Sequence, residues 1–386
     1  MKKLIRITTI PMSLDKLLGG QLSYMKGHFD VTAVSSDEPY LKTIGEKEDV
    51  DVFCIEMTRQ ITLFKDLKAL YCLYRLLKKE KPLIIHSHTP KAGIVGMLAA
   101  WLAQVPVRLH TVAGLPLLEA TGGKRKILNI VEKITYFCAS KVYPNSVGLY
   151  DIILQQKFTS KGKLKVIANG SSNGIDTSYF NPTLFSNNEK QELKTNLGVK
   201  NDDFVFIFVG RLVSDKGINE LAETFNTLFQ QYEYIKLLLV GPMEANLDPL
   251  KDETLNIINT NKNIITVGYQ SDIRPYLSIA DALVFPSYRE GFPNVVMQAG
   301  AMELPSIVTN INGCNEIIIE RENGVIIPVK NTEALKEKME LFVTNKAFLS
   351  KLKSNSRQMI TSRYEQKVVW EALLTEYKRL ENNHKD

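Results

Sequence analysis

Two cations follow a predicted strand in the second half of the chain. The apolar run 204–209 leads into the residues G-R-L-V-S-D-K-G at 210–217. Gly210 allows a ligand to approach the backbone closely, and Arg211 and Lys216 bring positive charge that could hold a diphosphate and stabilise a departing anion. The alternative is a surface turn in which the serine or the aspartate caps the next helix. The motif therefore predicts either an anion site or a capped turn.

A second loop of this kind follows the predicted strand 282–285. Its residues, 286–294, read P-S-Y-R-E-G-F-P-N and precede a helical pattern. The glycine and the second proline fix a loop whose N–H groups, together with the first amides of the helix, form an anion site. Glu290 beside that site is suited to binding sugar hydroxyls, although a solvated loop charge is the ordinary alternative.

Histidines and a pair of aspartates in the first half are weaker signals. His110 lies near the end of a predicted strand, where a lone histidine is more often a structural hydrogen-bond partner. His86 and His88 share one face of their strand, but no third ligand follows at a suitable spacing, so we predict no metal site. The Asp-x-Asp at 49–51 precedes a strand instead of ending one, and we interpret it as loop charge.

Short β-rich apolar runs alternate with helical patterns, which is typical of parallel sheets built from βαβ units. We therefore predict an α/β fold of two Rossmann-like, doubly wound parallel-sheet domains that face each other across a cleft, with ligands outside the carboxyl ends of the strands. The predicted strands of the first half are 4–10, 31–35, 52–56, 83–86, 107–111, 141–144 and 164–168. Those of the second half are 204–209, 235–240, 264–267, 282–285, 306–309 and 325–328.

The segment 171–201 is rich in Asn, Ser and Gly and is the predicted linker. We place an N-terminal domain at 1–180 and a C-terminal domain at 181–365. Three helices are predicted at the end of the chain, near 332–344, 346–361 and 366–382. The segment 366–386 is expected to pack back on the N-terminal domain.

Charge is distributed unevenly along the chain. Residues 1–180 hold 25 Lys and Arg against 15 Asp and Glu, a net charge of +10, whereas residues 181–386 hold 23 against 27, a net charge of −4. The basic half is where an anionic partner is expected. No nucleic-acid-binding motif accompanies this charge, so no nucleic-acid partner is predicted.

Two predicted helices of the basic half, 67–79 and 125–139, are amphipathic. Such helices lie in anionic membrane interfaces, although a Rossmann helix with a solvated basic face has the same pattern. The longest uncharged stretch, 92–107, falls short of the roughly 20 residues that span a bilayer. The four cysteines include no C-x-x-C pair, which argues against a zinc site or a disulfide framework.

The two loop motifs together resemble those of the family-4 retaining glycosyltransferases, which have the two-Rossmann (GT-B) fold. The likeness extends to the Gly19-Gly20 loop and to the stretch H-T-V-A-G at 110–114. The stretch H-S-H-T-P-K-A-G at 86–93 is similar to the subgroup that builds bacterial surface polysaccharides and lipid-linked oligosaccharides.

The resemblance implies roles for individual residues. Arg211 and Lys216 would bind the donor diphosphate, Glu290 would contact hydroxyls of the donor sugar, and His110 would face that sugar; these four are the implied catalytic residues. The implied substrate-binding residues are Gly19, Gly20, Gly210, Gly291, Phe292, Asn294 and Gln298. The candidates on the acceptor side are His88 and Lys91.

One position departs from the family pattern. Members usually carry a glutamate eight residues after the first, where it holds the nucleotide ribose, and here Gln298 occupies that position. An amide offers both donor and acceptor groups to a ribose diol. We therefore expect altered ribose recognition and retained activity.

The resemblance thus implies a metal-independent glycosyltransferase without a cofactor. It would move a sugar, with retention, from a nucleotide sugar, UDP-linked, to a polyprenyl-diphosphate-linked glycan. The basic half favours a cytoplasmic protein that binds the anionic inner face of the cytoplasmic membrane peripherally. Two alternatives stay open: a sugar-nucleotide epimerase or hydrolase on the same architecture, and a non-catalytic nucleotide-sugar-binding subunit, which Gln298 motivates.

Overall fold

The structure is a computed structural model that describes residues 1–58, 62–118, 120–244 and 248–384. Its strands, in chain order, are β1 (Lys3–Ile7), β2 (Asp30–Ser35), β3 (Asp51–Cys54), β4 (Ile84–His88), β5 (Val107–Val112), β6 (Lys141–Pro144), β7 (Phe204–Val209), β8 (Ile235–Val240), β9 (Ile264–Gly268), β10 (Ala282–Phe285), β11 (Ser306–Thr309) and β12 (Gly324–Ile327).

The α-helices, in chain order, are α1 (Pro11–Leu18), α2 (Gln21–Lys26), α3 (Glu38–Glu48), α4 (Leu63–Glu80), α5 (Pro90–Leu102), α6 (Gly122–Cys138), α7 (Val147–Gln155), α8 (Asn187–Asn196), α9 (Ile218–Phe229), α10 (Asp252–Thr260), α11 (Arg274–Ser278), α12 (Asn294–Ala301), α13 (Cys314–Ile317), α14 (Thr332–Thr344), α15 (Lys346–Tyr364) and α16 (Gln366–Asn382). Within the described residues no helix combines the length and the apolar composition that a membrane span requires.

The chain forms two compact units, each built on a six-stranded parallel sheet. Unit 1 comprises residues 1–174 and the C-terminal segment from Gln366, and unit 2 comprises Ile175–Glu365. The strand order is β3-β2-β1-β4-β5-β6 in unit 1 and β12-β11-β10-β7-β8-β9 in unit 2. The predicted α/β class with doubly wound parallel sheets is confirmed.

Each sheet reverses its strand order once, at its centre. The reversal lies between β1 and β4 in unit 1, and between β7 and β10 in unit 2. At such a point the loops that follow the two central strands diverge to opposite faces and leave a crevice at the carboxyl edge, where doubly wound sheets bind their ligands. The topology thus predicts one ligand position in each unit, at the carboxyl edge of its two central strands.

The sheet of unit 2 is covered on both faces, and its central strands are apolar throughout. β7 reads F-V-F-I-F-V, with Val205 to Phe208 fully buried, which is the pattern of a strand that packs against helices on both sides. α9 returns across the sheet and buries Ile218, Leu221 and Phe225 at helical spacing. These packed elements fix the loop between β7 and α9.

The C-terminal helix α16 belongs to the core of unit 1. The Tyr377 hydroxyl lies 2.5 Å from His86 Nδ1, and Trp370 Nε1 donates to Asn173 Oδ1 at 2.7 Å. The segment 366–386 therefore lies in unit 1 as far as residue 384, and residues 385 and 386 are outside the described part of the chain.

A buried carboxylate of α16 is held by two cations. Glu376 accepts hydrogen bonds from Lys165 Nζ at 2.6 Å and from Arg379 Nη2 at 2.8 Å. Burial by itself raises the pKa of Glu376, but the hydrogen bonds from Arg379 and Lys165 outweigh burial and lower the pKa to about 2. This group therefore stabilises unit 1 while it is ionised.

One predicted strand is wrong. The segment 164–168 makes a single parallel bridge, between Leu164 and Val142, and continues without strand structure. Lys163 Nζ instead donates to three carbonyl groups at the end of α6, and Ala168 and Gly170 adopt positive φ angles. The Lys163 side chain thus holds the segment against a helix end, and the backbone turns before a second bridge forms.

Candidate functional site

The loop after β7 carries the two predicted cations. Arg211 Nη1 donates to Glu244 Oε2 at 2.9 Å, and this hydrogen bond raises the pKa of Arg211. The backbone N–H of Asp215 donates to Asp248 Oδ2 at 2.6 Å. A short 3-10 turn over Ser214–Lys216 then leads into α9. Because this loop is tied on both sides, its cations are held at the strand end.

The loop after β10 brings Glu290 to Lys216. Lys216 Nζ forms an ion pair with Glu290 Oε1, with side-chain exposures of 15% and 18%. Ser287 Oγ donates to the same carboxylate oxygen at 3.1 Å. These residues are far apart in the sequence and meet because β7 and β10 are neighbours. The pair therefore lies at the central crevice of unit 2.

Two glycines allow the loops to approach this closely. Gly217 has φ 72°, and a β-carbon there would collide with the carbonyl oxygen of Pro286. Gly313, in the loop after β11, has φ 76°, and a β-carbon there would lie 2.7 Å from the carbonyl oxygen of Gly291. Asn312 Nδ2 donates to that same oxygen at 2.8 Å. Three consecutive strand ends of the sheet thus shape the loop that carries Glu290.

The helix α12 begins directly after this loop. Its N-cap residue, Pro293, provides no side-chain hydrogen bond to the first amides of the helix, and the Val296 N–H donates to the Pro293 carbonyl at 3.2 Å, so the N–H groups of Asn294 and Val295 are those available to an anion. Gln298 is half-buried one turn after Asn294, so these two side chains share a face of α12. Phe292 packs its ring 5.4 Å from that of Tyr364, which anchors the loop to the core.

The arrangement in unit 2 suits a ligand with two kinds of groups. An anionic group would interact with Lys216, Arg211 and the first amides of α12. Hydroxyl groups would donate to Glu290, whose carboxylate is an acceptor only. The structure brings together Gly210, Arg211, Lys216, Glu290, Gly291, Phe292, Asn294 and Gln298 in the loops after β7 and β10 and the adjoining α12.

The structure places His110 in the interior of unit 1. The residue is 3% exposed within β5, two residues before the strand ends. His110 Nδ1 lies 2.8 Å from Ser87 Oγ, and the ring packs against Gly93, where a β-carbon would clash with it. Burial lowers its pKa to about 4, so the ring is neutral at pH 7. This placement favours the structural role, and contact with the donor sugar stays a prediction.

His88 is also buried, at the switch point of unit 1. Arg6 Nη2 lies 2.9 Å and Arg6 Nε 3.2 Å from His88 Nε2, so the histidine accepts from the guanidinium. Arg6 Nη2 also donates to Gln21 Oε1 at 2.5 Å. Burial, together with His86 and Arg6, lowers the pKa of His88 well below its usual value. His88 therefore supports the sheet edge, and a direct role toward an acceptor stays a prediction.

The remaining candidates of unit 1 lie in separate places. Gly19 and Gly20 connect α1 to α2, and the Gly20 N–H donates to Glu48 Oε1 at 2.7 Å, which occupies that amide. Lys91, in the first turn of α5, pairs with Asp66 Oδ2 at 2.5 Å. Of the Asp-x-Asp, Asp49 ends α3 and pairs with Lys26.

Sequence reasoning missed several residues that position the site. Asn312 and Gly313 follow a predicted strand as an Asn-Gly pair, a turn signal that was available. Ser287 and Asp248 offered no such signal, because their partners are defined only by the sheet order. Among the residues that the structure describes, no group of three or more His, Cys, Asp or Glu is placed to hold a metal ion.

Sequence comparisons identify similar proteins over most of the chain. Residues 24–170 match the family model "Glycosyl transferase 4-like domain", and residues 189–359 match "Glycosyl transferases group 1". The capsular polysaccharide biosynthesis glycosyltransferase CapM of Staphylococcus aureus is 34% identical over 97% of both chains. An Escherichia coli protein named UDP-Gal:alpha-D-GlcNAc-diphosphoundecaprenol alpha-1,3-galactosyltransferase is 31% identical over 86% of this chain and 85% of its own.

Solved structures share the architecture at low sequence identity. Anabaena HepE in complex with UDP and glucose aligns over 98% of this chain and 100% of its own, with a TM-score of 0.78 and 17% identity. A glycosyltransferase from Rickettsia africae aligns over 99% of both chains, with a TM-score of 0.80 and 19% identity. At such identities the likeness concerns the fold, which is that of two doubly wound units in tandem.

Proposed function

Because the chain belongs to the group 1 glycosyl transferases and is therefore a glycosyltransferase, we propose that its donor is a UDP-linked sugar and its acceptor a glycan on a lipid diphosphate. The family predicted from the two loop motifs is confirmed, as is the GT-B fold class. Family membership disfavours the alternative of a non-catalytic subunit.

The observation that carries the donor proposal is the Lys216–Glu290 pair at the crevice of unit 2. A nucleoside-diphosphate sugar has phosphate oxygens next to sugar hydroxyls, and this pair offers a cation next to a carboxylate. Lys216 would meet the negative charge that grows on the leaving diphosphate, so its interaction is stronger in the transition state than in the bound donor. Retention at the anomeric carbon is part of the proposal through the family resemblance.

Gln298 is the proposed ribose contact. Its position on α12, one turn beyond Asn294, would place a ribose next to the diphosphate site. A neutral amide accepts one hydrogen bond and donates another, whereas a carboxylate accepts both. We expect this difference to alter the affinity for the nucleotide and to leave turnover in place.

No metal ion or cofactor is part of the proposed reaction. Arg211, Lys216 and the first amides of α12 would supply the positive potential for the leaving diphosphate. The two cations and the helix N-terminus support a reaction without a metal ion, and a chelation experiment tests this metal independence.

The acceptor proposal is supported by the surface of unit 1 and by relatives. Two relatives have diphosphoundecaprenol-linked sugars in their names, the Escherichia coli protein and one from Campylobacter jejuni. In unit 1, Phe64 on α4 and Ile130 and Phe137 on α6 expose large apolar side chains, and Lys124 and Lys126 are exposed at the start of α6. Apolar and basic side chains on one surface favour peripheral binding to an anionic membrane.

A donor panel tests the proposed reaction. The protein is incubated with UDP-, GDP- and dTDP-linked sugars, with and without GlcNAc-diphosphoundecaprenol, and nucleoside diphosphate release and lipid products are measured. We expect UDP release that requires the lipid acceptor and matches the glycolipid formed. Equal release without acceptor would indicate a hydrolase, and conversion of the donor into an isomer would indicate an epimerase; either result would contradict the proposal.

A further inference from the structure

An apolar groove runs along one face of unit 1, between α4 and α6 with α5 as its floor. Its volume is about 1040 Å³, just above the roughly 300–1,000 Å³ of small-molecule sites. Each of the three helices contributes a stripe of apolar side chains three or four residues apart, which is the spacing of one helix face. These stripes include Leu67, Leu70, Ile94, Leu98, Ile127 and Val131.

One end of the groove lies at the switch point of unit 1. Thr9 and Thr89, which follow β1 and β4, line the groove. Their hydroxyl oxygens are 2.7 Å apart, so the loops after the two central strands meet there. Doubly wound sheets bind ligands outside the carboxyl ends of these strands. The reacting group of a ligand is therefore expected at this end of the groove.

Four charged side chains line the groove: Asp66, Lys91, Lys124 and Glu132. Lys91 is 10% exposed and pairs with Asp66, and Lys124 is exposed at the start of α6. Glu132 is buried, and burial raises its pKa. A long, largely apolar channel with the exposed Lys124 at the start of α6 suits a molecule with an anionic head and a hydrocarbon tail better than a sugar chain.

We propose that this groove holds the first isoprenoid units of the acceptor lipid, with the diphosphate beside Lys91 and Lys124. The inference rests on the proposed lipid-diphosphate acceptor and adds where its tail lies. Binding of the tail in the protein would position the diphosphate-linked sugar at the loops after β1 and β4. The remaining length of the tail would continue into the bilayer.

The structure offers matched pairs of residues for testing the groove. Leu67 on α4 and Ile127 on α6 line it and are 53% and 51% exposed. Phe64 and Ile130 are on the same helices, are also exposed (87% and 57%), and lie outside the groove lining. Because all four side chains are exposed, replacement by glutamine should leave the fold intact.

The experiment measures the affinity of the full chain for geranyl, farnesyl and geranylgeranyl diphosphate by calorimetry, below their micelle concentrations. We expect affinity to rise with tail length, by about fourfold for each CH2-sized group that becomes buried. Leu67→Gln and Ile127→Gln should flatten this dependence, whereas Phe64→Gln and Ile130→Gln should keep it. Equal affinity for the three ligands, or equal loss in lining and control variants, would overturn the groove as the tail site.

Transfer to GlcNAc-diphosphate acceptors with short and long prenyl tails separates this inference from the proposed function. Faster transfer to the longer tail by the parent, reduced in the two lining variants, supports the groove. Equal transfer to both tails leaves the glycosyltransferase proposal standing and removes the groove. Length-dependent binding of prenyl diphosphates without any glycan transfer supports the groove and contradicts the proposed acceptor.

Discussion

Replacement of Lys216 by alanine should lower transfer by a factor of about 100 to 1,000. Removing one preorganised hydrogen-bond donor that stabilises negative charge in the transition state raises the activation free energy by about 2.7 to 4 kcal/mol. Lys216 is such a preorganised donor, because its side chain is 15% exposed and its ammonium group is held against Glu290 in the loop after β10. At this burial its charge interacts more strongly with a phosphate than it would on the open surface.

The same replacement should cost little stability. It leaves Glu290 without its cation, but Ser287 Oγ still donates to that carboxylate. A partly buried charged group that loses one partner costs about 1 to 3 kcal/mol. For a domain of this size, each kcal/mol shifts the melting temperature by about 2 to 4 °C, so we expect a fall of several degrees and a folded protein.

Lys236 provides the matched control. It is 13% exposed and pairs with Asp203 at 3.7 Å, but it is the second residue of β8 and so lies at the amino end of the strand. Lys236→Ala removes a lysine of similar burial from the same unit. It should lower the melting temperature by a similar amount and leave transfer near the parental rate.

The assay measures single-turnover transfer, nucleoside diphosphate affinity and melting temperature for parent, Lys216→Ala and Lys236→Ala. Glu290→Gln belongs in the same series, because it keeps the shape but removes a charge-assisted contact to a sugar hydroxyl. It should impair transfer and leave nucleoside diphosphate binding nearly intact. Near-parental transfer by Lys216→Ala, or an equal loss in Lys236→Ala, would refute the reasoning.

Three further outcomes are expected. Excess chelator should leave single-turnover transfer to a detergent-solubilised acceptor unchanged, and loss of transfer that is restored by a divalent ion would contradict metal independence. Replacing Lys124 and Lys126 by glutamate should release the protein from anionic vesicles more than replacing Lys78 and Lys79, because the first pair adjoins the exposed apolar residues of α6; equal sedimentation of all variants would mean that the lysines are merely solvated. The pKa of Glu376 in the folded protein is about 2 and lies below its pKa in the unfolded chain. The ionised group therefore stabilises the fold above about pH 5, and this stabilisation is lost toward pH 2. Chemical denaturation should find Glu376→Gln less stable than the parent at about pH 7 and equally stable near about pH 2.

The central strands could be predicted from the sequence because they are continuous apolar runs bounded by turn residues. β7, β8, β10 and β11 have the predicted bounds, since a parallel strand that is buried on both faces is apolar along most of its length, with polar side chains only near its ends, such as Lys236 in β8 and Ser306 in β11. The segment 164–168 was predicted as a strand from similar composition. Its failure depends on Lys163, whose three hydrogen bonds to the end of α6 have no sequence signature.

The loops of the site were predicted, but the contacts within them were not. Arg211, Lys216 and Glu290 were found because each follows an apolar run. Lys216 can pair with Glu290 only because β10 lies beside β7 in the sheet. The spacing of the motifs along the sequence does not determine this strand order. The two-residue period of a strand predicts which face of the sheet His88 and His110 lie on. It does not predict that both side chains are buried, because their burial depends on contacts with Arg6, Ser87 and the helices that cover the sheet.

The path of the chain has a consequence for synthesis on the ribosome. The chain leaves unit 1 at Gly174 and returns at Gln366, so unit 2 is one continuous segment and unit 1 is not. At about 5 to 20 residues per second, the intervening segment takes about 10 to 40 s to emerge. Throughout that time the sheet lacks α16, and the apolar surface that Tyr377 and Leu373 later cover is open to chaperones.

Unit 2 is therefore expected to complete its folding first, and the nascent N-terminal segment to wait for the last helix. A chain that stops at Glu365 should show a protease-resistant unit 2 and a protease-sensitive remainder under limited proteolysis with mass spectrometry. Equal protection of both parts would mean that α16 joins a domain that is already folded. In the expected case, α16 completes unit 1 only after the whole of unit 2 has been synthesised.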